Sequence, residues 1–160
     1  MSENGLRCYS ADTSALIDGL ERYYPADHFP GLWERVDDLI NDGRLIISEE
    51  VWEEAQTKDA VVKAWCEPRK AAIVVPTDAT VVEEVQRVLA DHQRLVMNFK
   101  GRNRADPFVI AVASIRSAVV VTGEGSDGTE NKPKIPFVCQ RLGIECVKFV
   151  DVIRLEGWTF

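Results

Sequence analysis

Short, largely apolar runs of four to six residues recur along this chain of 160 residues, at 6–11, 44–47, 72–75, 117–121 and 146–150, and helical spacing fills most of the sequence between them. Strands this short, without polar alternation, are buried on both faces, and an intervening helix returns the chain to start the next strand parallel. Helices are expected at about 14–24, at 30–41, over 48–65 as one or two pieces, at 78–96, from Asp106 to about Ile115, and at 135–142. In the second of these, Leu32, Val36, Leu39 and Ile40 share one face, with Gly43 as the stop. Ser48 reads as the cap of the third, and Asp106-Pro107 reads as a cap followed by proline at the first helical position. The expected fold is therefore α/β: one domain over residues 1–160, with a mainly parallel five-stranded sheet covered by helices on both faces.

Charge narrows the function. Nineteen Lys and Arg against 26 Asp and Glu leave a net charge of -7, which argues against a protein that binds nucleic acid merely by being basic. The excess is local: residues 1–60 carry -9 and residues 61–160 carry +2. The window 92–105 has no acid and holds Arg94, Lys100, Arg102 and Arg104. No apolar run approaches the roughly 20 residues of a membrane span. The opening Met1-Ser2-Glu3-Asn4-Gly5 lacks a basic segment leading into an apolar one, so no signal peptide and a cytoplasmic setting are expected. Cys8, Cys66, Cys139 and Cys146 form no CxxC pair, and His28 and His92 are far apart, which disfavours both a zinc site and a disulfide framework.

Ligands of open parallel sheets bind at the carboxyl ends of the strands. Asp12 follows the first strand, Glu124 lies just past the fourth, Asp106 starts the helix leading into the fourth, and Glu50, Glu53 and Glu54 lie on the helix after the second. Singly, Asp12 and Asp106 read as helix caps and each glutamate as a solvated charge. Together they predict something more, because converging carboxylates repel unless protonated or bridged by a cation. An all-oxygen set without His or Cys favours Mg²⁺ or Mn²⁺, ions suited to hydrolysis at phosphorus.

Four segments in register with the strand order resemble PIN-domain nucleases, and most closely the PIN-like group allied to VapC-type toxins. They are Tyr9-Ser10-Ala11-Asp12-Thr13-Ser14-Ala15-Leu16-Ile17-Asp18, the glutamate-bearing helix after the second strand, Arg104-Ala105-Asp106-Pro107-Phe108-Val109-Ile110-Ala111, and Val120-Val121-Thr122-Gly123-Glu124. The resemblance implies a three-layer α/β/α domain and a Mg²⁺- or Mn²⁺-dependent endoribonuclease, the toxin of a pair with a cognate antitoxin protein. It makes Asp12, Asp106, Glu124 and Glu54 the catalytic metal ligands, with Ser14 in support; Glu50 and Glu53 remain alternatives to Glu54, and Asp127 to Glu124. The family commonly has aspartate where this chain has Glu124. Lys100, Arg102 and Arg104 then lie where RNA phosphates would approach, against the simpler reading of a solvated loop.

Two other functions compete. One is a non-catalytic PIN-like scaffold that binds RNA or a protein. The other is an aspartate-nucleophile phosphatase, against which Asp12-Thr13-Ser14 lacks the second Asp that haloacid dehalogenase-like enzymes carry. Tyr23, Tyr24, Phe29 and Trp33 read as core aromatics before base-stacking ones, and Gly123, Gly125 and Gly128 as a flexible loop. Trp158 and Phe160 pack on the body of the domain or on a second subunit, which leaves a homodimer open.

Overall fold

A computed structural model describes residues 5–91, 105–125 and 134–160 of the chain. Its five strands are β1 (Tyr9–Ala11), β2 (Leu45–Ser48), β3 (Val74–Val75), β4 (Val119–Val121) and β5 (Cys146–Val147). They form one sheet in the order β3-β2-β1-β4-β5, with every neighbouring pair parallel. The expected α/β fold is thus observed. β1 is central: the chain leaves it on one side toward β2 and β3, and returns on the other side with β4 and β5.

Both faces of the sheet are covered, and β2 shows how. Ile46 points into a smaller core with Val75, with Val81 and Val85 of α6 (Ala79–Asp91), and with Ala111 and Val112 of α7 (Asp106–Arg116). Its neighbours Leu45 and Ile47 join the larger core. There they meet the apolar faces of α2 (Pro30–Asn41), α3 (Glu49–Lys58) and α4 (Ala60–Cys66), including Val36, Leu39, Val51 and Val62. A strand whose alternate residues enter two cores reads as a continuous apolar run, as this sequence does. The result is three layers, helices on sheet on helices.

Several boundaries differ from expectation. β1 starts at Tyr9 rather than at residue 6, and β4 at Val119, because Ser117 ends α7 in the left-handed conformation (φ 51°). The first helical stretch is α1 (Thr13–Ile17) followed by a wider π turn, Asp18–Tyr23. Ala72 and Ile73, expected in the third strand, wind instead into α5 (Lys70–Ile73). α6 runs Ala79–Asp91, and residues 92–96 lie outside the described part. α8 (Ile135–Leu142) matches its expected span and ends at Gly143, whose φ of 70° suits a residue without a side chain.

The fifth run is strand only at Cys146–Val147, and α9 (Phe149–Glu156) begins two residues later. Asp151 reaches back to the Lys148 amide at 3.0 Å, a capping contact that starts this helix. Phe149 stacks against Tyr24 and Trp33, and packs so closely on Gly19 that a Cβ there would lie 2.9 Å from its ring. Trp33 and Tyr24 are therefore core or core-edge residues, while Tyr23 and Phe29 are exposed. Trp158 packs against the larger core, and Phe160 is exposed with its ring edge near Gly31. All four cysteines are free, Cys66 and Cys139 buried and Cys8 and Cys146 half-buried. Among the described residues no helix is long and apolar enough to cross a membrane.

α9 also closes the amino end of the central strand. The Tyr9 hydroxyl donates to Glu156 Oε2 at 2.6 Å, and Arg44 Nη2 donates to both Glu156 oxygens at 2.7 and 2.8 Å. Arg44 Nε donates to the Arg7 carbonyl at 2.7 Å. With 12% and 10% of the Arg44 and Glu156 side chains exposed, this is a half-buried pair, and both Glu156 oxygens accept hydrogen bonds. Removing one partner leaves the other without its charge-assisted bonds, so Glu156→Ala is expected to cost about 2–3 kcal/mol in urea unfolding. Exposed Glu53→Ala should change stability by no more than about 0.5 kcal/mol.

Candidate active site

The carboxyl ends of β1 and β4 meet where the chain reverses direction across the sheet, the place where such sheets hold ligands. The β1–β4 register pairs Ala11 with Val121, so Asp12 and Thr122 come next on adjacent strands. The Asp12 amide continues this ladder to the Val121 carbonyl at 3.0 Å, and the Thr122 amide continues the β4–β5 ladder to the Val147 carbonyl at 3.0 Å.

Asp12 is both a helix cap and a site residue. Its Oδ1 accepts from the Ala15 amide at 2.8 Å, which starts α1. The Thr122 hydroxyl donates to Oδ2, and the Ser14 hydroxyl lies 2.8 and 2.9 Å from the two oxygens. The Gly123 amide donates to Ser14 Oγ at 2.8 Å, and the Glu124 amide to Thr122 Oγ1 at 3.1 Å. Asp12 is therefore oriented by hydroxyls that are themselves oriented by the next two backbone amides. Burial pushes its carboxyl up to about 6, against the opposing pull of the Thr122, Ala15 and Ser14 bonds and with a push from Glu124.

Asp106 differs. It occupies the first turn of α7 after a cap at Ala105, so the expected capping role is not found, and Pro107 follows it. Ser10 ties β1 to this helix by donating to the Val109 carbonyl at 3.0 Å. Asp106 is only 5% exposed, and its buried Oδ2 has no hydrogen-bond partner among the described residues. Burial, then the negative charges of Glu124, Asp12 and Glu54, push its carboxyl up to about 9; Lys58 opposes them.

Glu124 accepts from the Ile135 amide at 2.8 Å, so the acid past β4 holds the start of α8. Its carboxyl is raised by burial above all, with Ile135, Lys134 and Lys58 opposing and Glu54 adding to the rise. Of the glutamates on α3, Glu50 takes the Thr77 hydroxyl and Glu49 takes the Thr77 amide, in the turn after β3. Glu53 is exposed beside Trp52 and Gln56. Glu54 is the one whose charge bears on Asp106 and Glu124, and it lies 3.4 Å from Lys58, one turn on.

Asp12, Asp106, Glu124 and Glu54 thus form one electrostatic group, with Ser14 bonded to Asp12. Lys100, Arg102, Arg104 and Asp127 lie outside the described residues. Sequence reasoning missed Thr122 as an orienting hydroxyl, although Thr-Gly-Glu directly after a valine run was its visible signal. It also took Gly123 for a flexible position. A Cβ there would lie 2.5 Å from Asp18 Oδ2 and 3.2 Å from the Ser14 carbonyl, and Lys148 Nζ clamps the carbonyls of Gly123 and Glu124. Close approach favours glycine here, because any side chain would have to push Asp18 aside and crowd the Ser14 carbonyl.

The oxygen-only donor set and the unpartnered, buried Asp106 oxygen suit a hard divalent cation. As the side chains stand, no three of His, Cys, Asp or Glu among the described residues are gathered closely enough to enclose one ion. Water would complete any coordination, as is usual for Mg²⁺.

Residues 9–160 match the family described as "Domain of unknown function (DUF4411)", and the chain belongs to it. No curated protein matches the chain.

The raised carboxyls fix the sign of a pH effect. Asp12 and Asp106 have ordinary values near 3.8 when unfolded and higher ones when folded, so the folded state favours their protonated forms. That stability is complete below about pH 4 and is lost as pH rises through about 6 and then about 9. In chelator-treated protein the melting temperature is expected to fall over this range. Asp106→Asn should flatten the upper part of the fall, as read by circular dichroism melts at stepped pH.

Proposed function

We propose that this DUF4411 chain is a PIN-like, Mg²⁺- or Mn²⁺-dependent endoribonuclease that hydrolyses RNA phosphodiester bonds, as the toxin of a toxin–antitoxin pair. The observation that carries the reading is Asp106: a carboxylate out of water, one oxygen unpartnered, beside three more carboxylates at the reversal point of a parallel sheet. The motif resemblance supplies the nuclease chemistry, the RNA substrate and the antitoxin partner.

Asp12, Asp106, Glu124 and Glu54 would hold the ion. When bound, a divalent ion supplies positive charge to a phosphoryl oxygen and acidifies a water. The chain's own residues prepare for it. Thr122 and Ser14 donate to Asp12 and favour its charged form near neutral pH. The Ile135 amide and the Lys148 clamp fix where Glu124 begins and ends. Asp106 contributes an oxygen that no described group has claimed, so loading costs it no hydrogen bond, only the proton that burial and its acidic neighbours hold on it near neutral pH.

One observation favours a second reading, a PIN-like scaffold that binds RNA or a protein without cleaving. Both Asp12 oxygens are already engaged by internal donors, and the four acids do not close around a single point.

Cleavage of a panel of single-stranded RNAs, with Mn²⁺ or after chelation, separates the two. A nuclease is expected to cut with metal, and Asp12→Asn or Asp106→Asn should lower the rate by at least the ~100-fold that loss of even a supporting contact can cost. Mn²⁺ should raise the melting temperature of the wild type and not of Asp106→Asn. Metal-independent RNA binding, with no cleavage and no Mn²⁺ stabilisation, would sink the nuclease reading and leave the scaffold.

A further inference from the structure

Lys58 stands at the last turn of α3, and the chain changes direction immediately after it, where Asp59 caps α4 through the Val62 amide at 2.9 Å. Its position one turn after Glu54 puts the two side chains on one helix face, with Nζ 3.4 Å from Glu54 Oε1. The pair is unequal: 19% of the Glu54 side chain is exposed against 50% of Lys58. The carboxylate is the inner member and the ammonium the outer one. The positive charge of Lys58 also opposes, as a lesser influence, the upward push on the Asp106 and Glu124 carboxyls. An ordinary surface pair of this spacing joins two solvated charges and touches nothing else.

We infer that Lys58 is a tethered counter-cation of the carboxylate group, a positioning residue that holds Glu54 until a divalent ion displaces it. The inference rests on the cation-binding reading above. A carboxylate has acceptor sites enough for both partners, but an ammonium this close to Glu54 repels an arriving divalent ion, so the two cations oppose one another there by charge. In the metal-free protein Lys58 offsets part of the repulsion among the acids. Once displaced, its four-carbon stem leaves the ammonium free to turn outward, toward an arriving anionic substrate.

Isothermal titration of the full chain with Mn²⁺ at neutral pH tests this without reference to activity. Lys58→Met and Lys58→Gln are expected to bind Mn²⁺ about threefold to tenfold more tightly than wild type, since a competing charge close to the ligand has gone. Lys58→Arg should bind as wild type does. Lys63→Met, which removes an exposed charge from α4, controls for net charge and should also leave affinity unchanged. Equal or weaker binding by both Lys58→Met and Lys58→Gln overturns the inference while leaving the cation site standing. An equal gain in Lys63→Met overturns it too, as a mere effect of net charge. If neither the wild type nor the Lys58 variants take up Mn²⁺, the inference and the proposed function fall together.

Discussion

Two carboxyl groups held out of water at the same edge of a parallel sheet must be stabilised by something other than solvent, and the surroundings of Asp12 and Asp106 answer that need in opposite ways. Asp12 is enclosed by donors from three directions: its own helix, the Ser14 hydroxyl and the Thr122 hydroxyl from the adjacent strand. Those donors depend on the β1–β4 register, because a slip of one residue would turn Thr122 to the other face of the sheet. Asp106 has no such enclosure, and its charge is opposed by the other three acids. The glycine past β4, the amide of α8 and the ammonium of Lys148 all serve to keep a negatively charged turn close to this edge.

This arrangement gives the acidic balance of the chain a different meaning. A net charge of -7 would ordinarily repel an RNA backbone. Here part of the excess is concentrated where it repels itself, and a bound cation, as proposed, would relieve that repulsion. Lys58, Lys134 and Lys148 already bring positive charge to the same edge, through α3, the start of α8 and the start of α9. The electrostatics of the site are therefore those of a partly compensated anion group.

Much of this was legible before the structure. α2 was visible from a proline at its first position and four apolar residues on one face, and α8 from its terminal glycine. The positions of Asp12 and Glu124 followed from strand ends, and Glu54 was picked out by resemblance from a run of near-equivalent glutamates. What separates Glu54 from Glu50 in space is Thr77, 27 residues farther along, which takes the Glu50 carboxylate; no local pattern contains that contact. Ala72 and Ile73 were ambiguous because a short apolar run suits a buried helical turn as well as a strand. α9 was hidden because Lys148 is no typical cap, and its real signal, Asp151 three residues on, is a single residue. Asp106 looked like a cap because Asp-Pro usually is one, whereas here Ala105 holds that position.

The Tyr9–Glu156–Arg44 contact carries a consequence for how the protein is made. The central strand is synthesised well before the carboxylate that seals its amino end, which lies 147 residues later. At about 5–20 residues per second of synthesis, Tyr9 waits roughly 7 to 30 s for its partner. Until then Arg44 is a cation without its acid, and the middle of the sheet lacks the helix that anchors it. The domain thus folds as a closing act, with its acid-lined edge assembled around a central strand that is secured only after residue 156 has emerged.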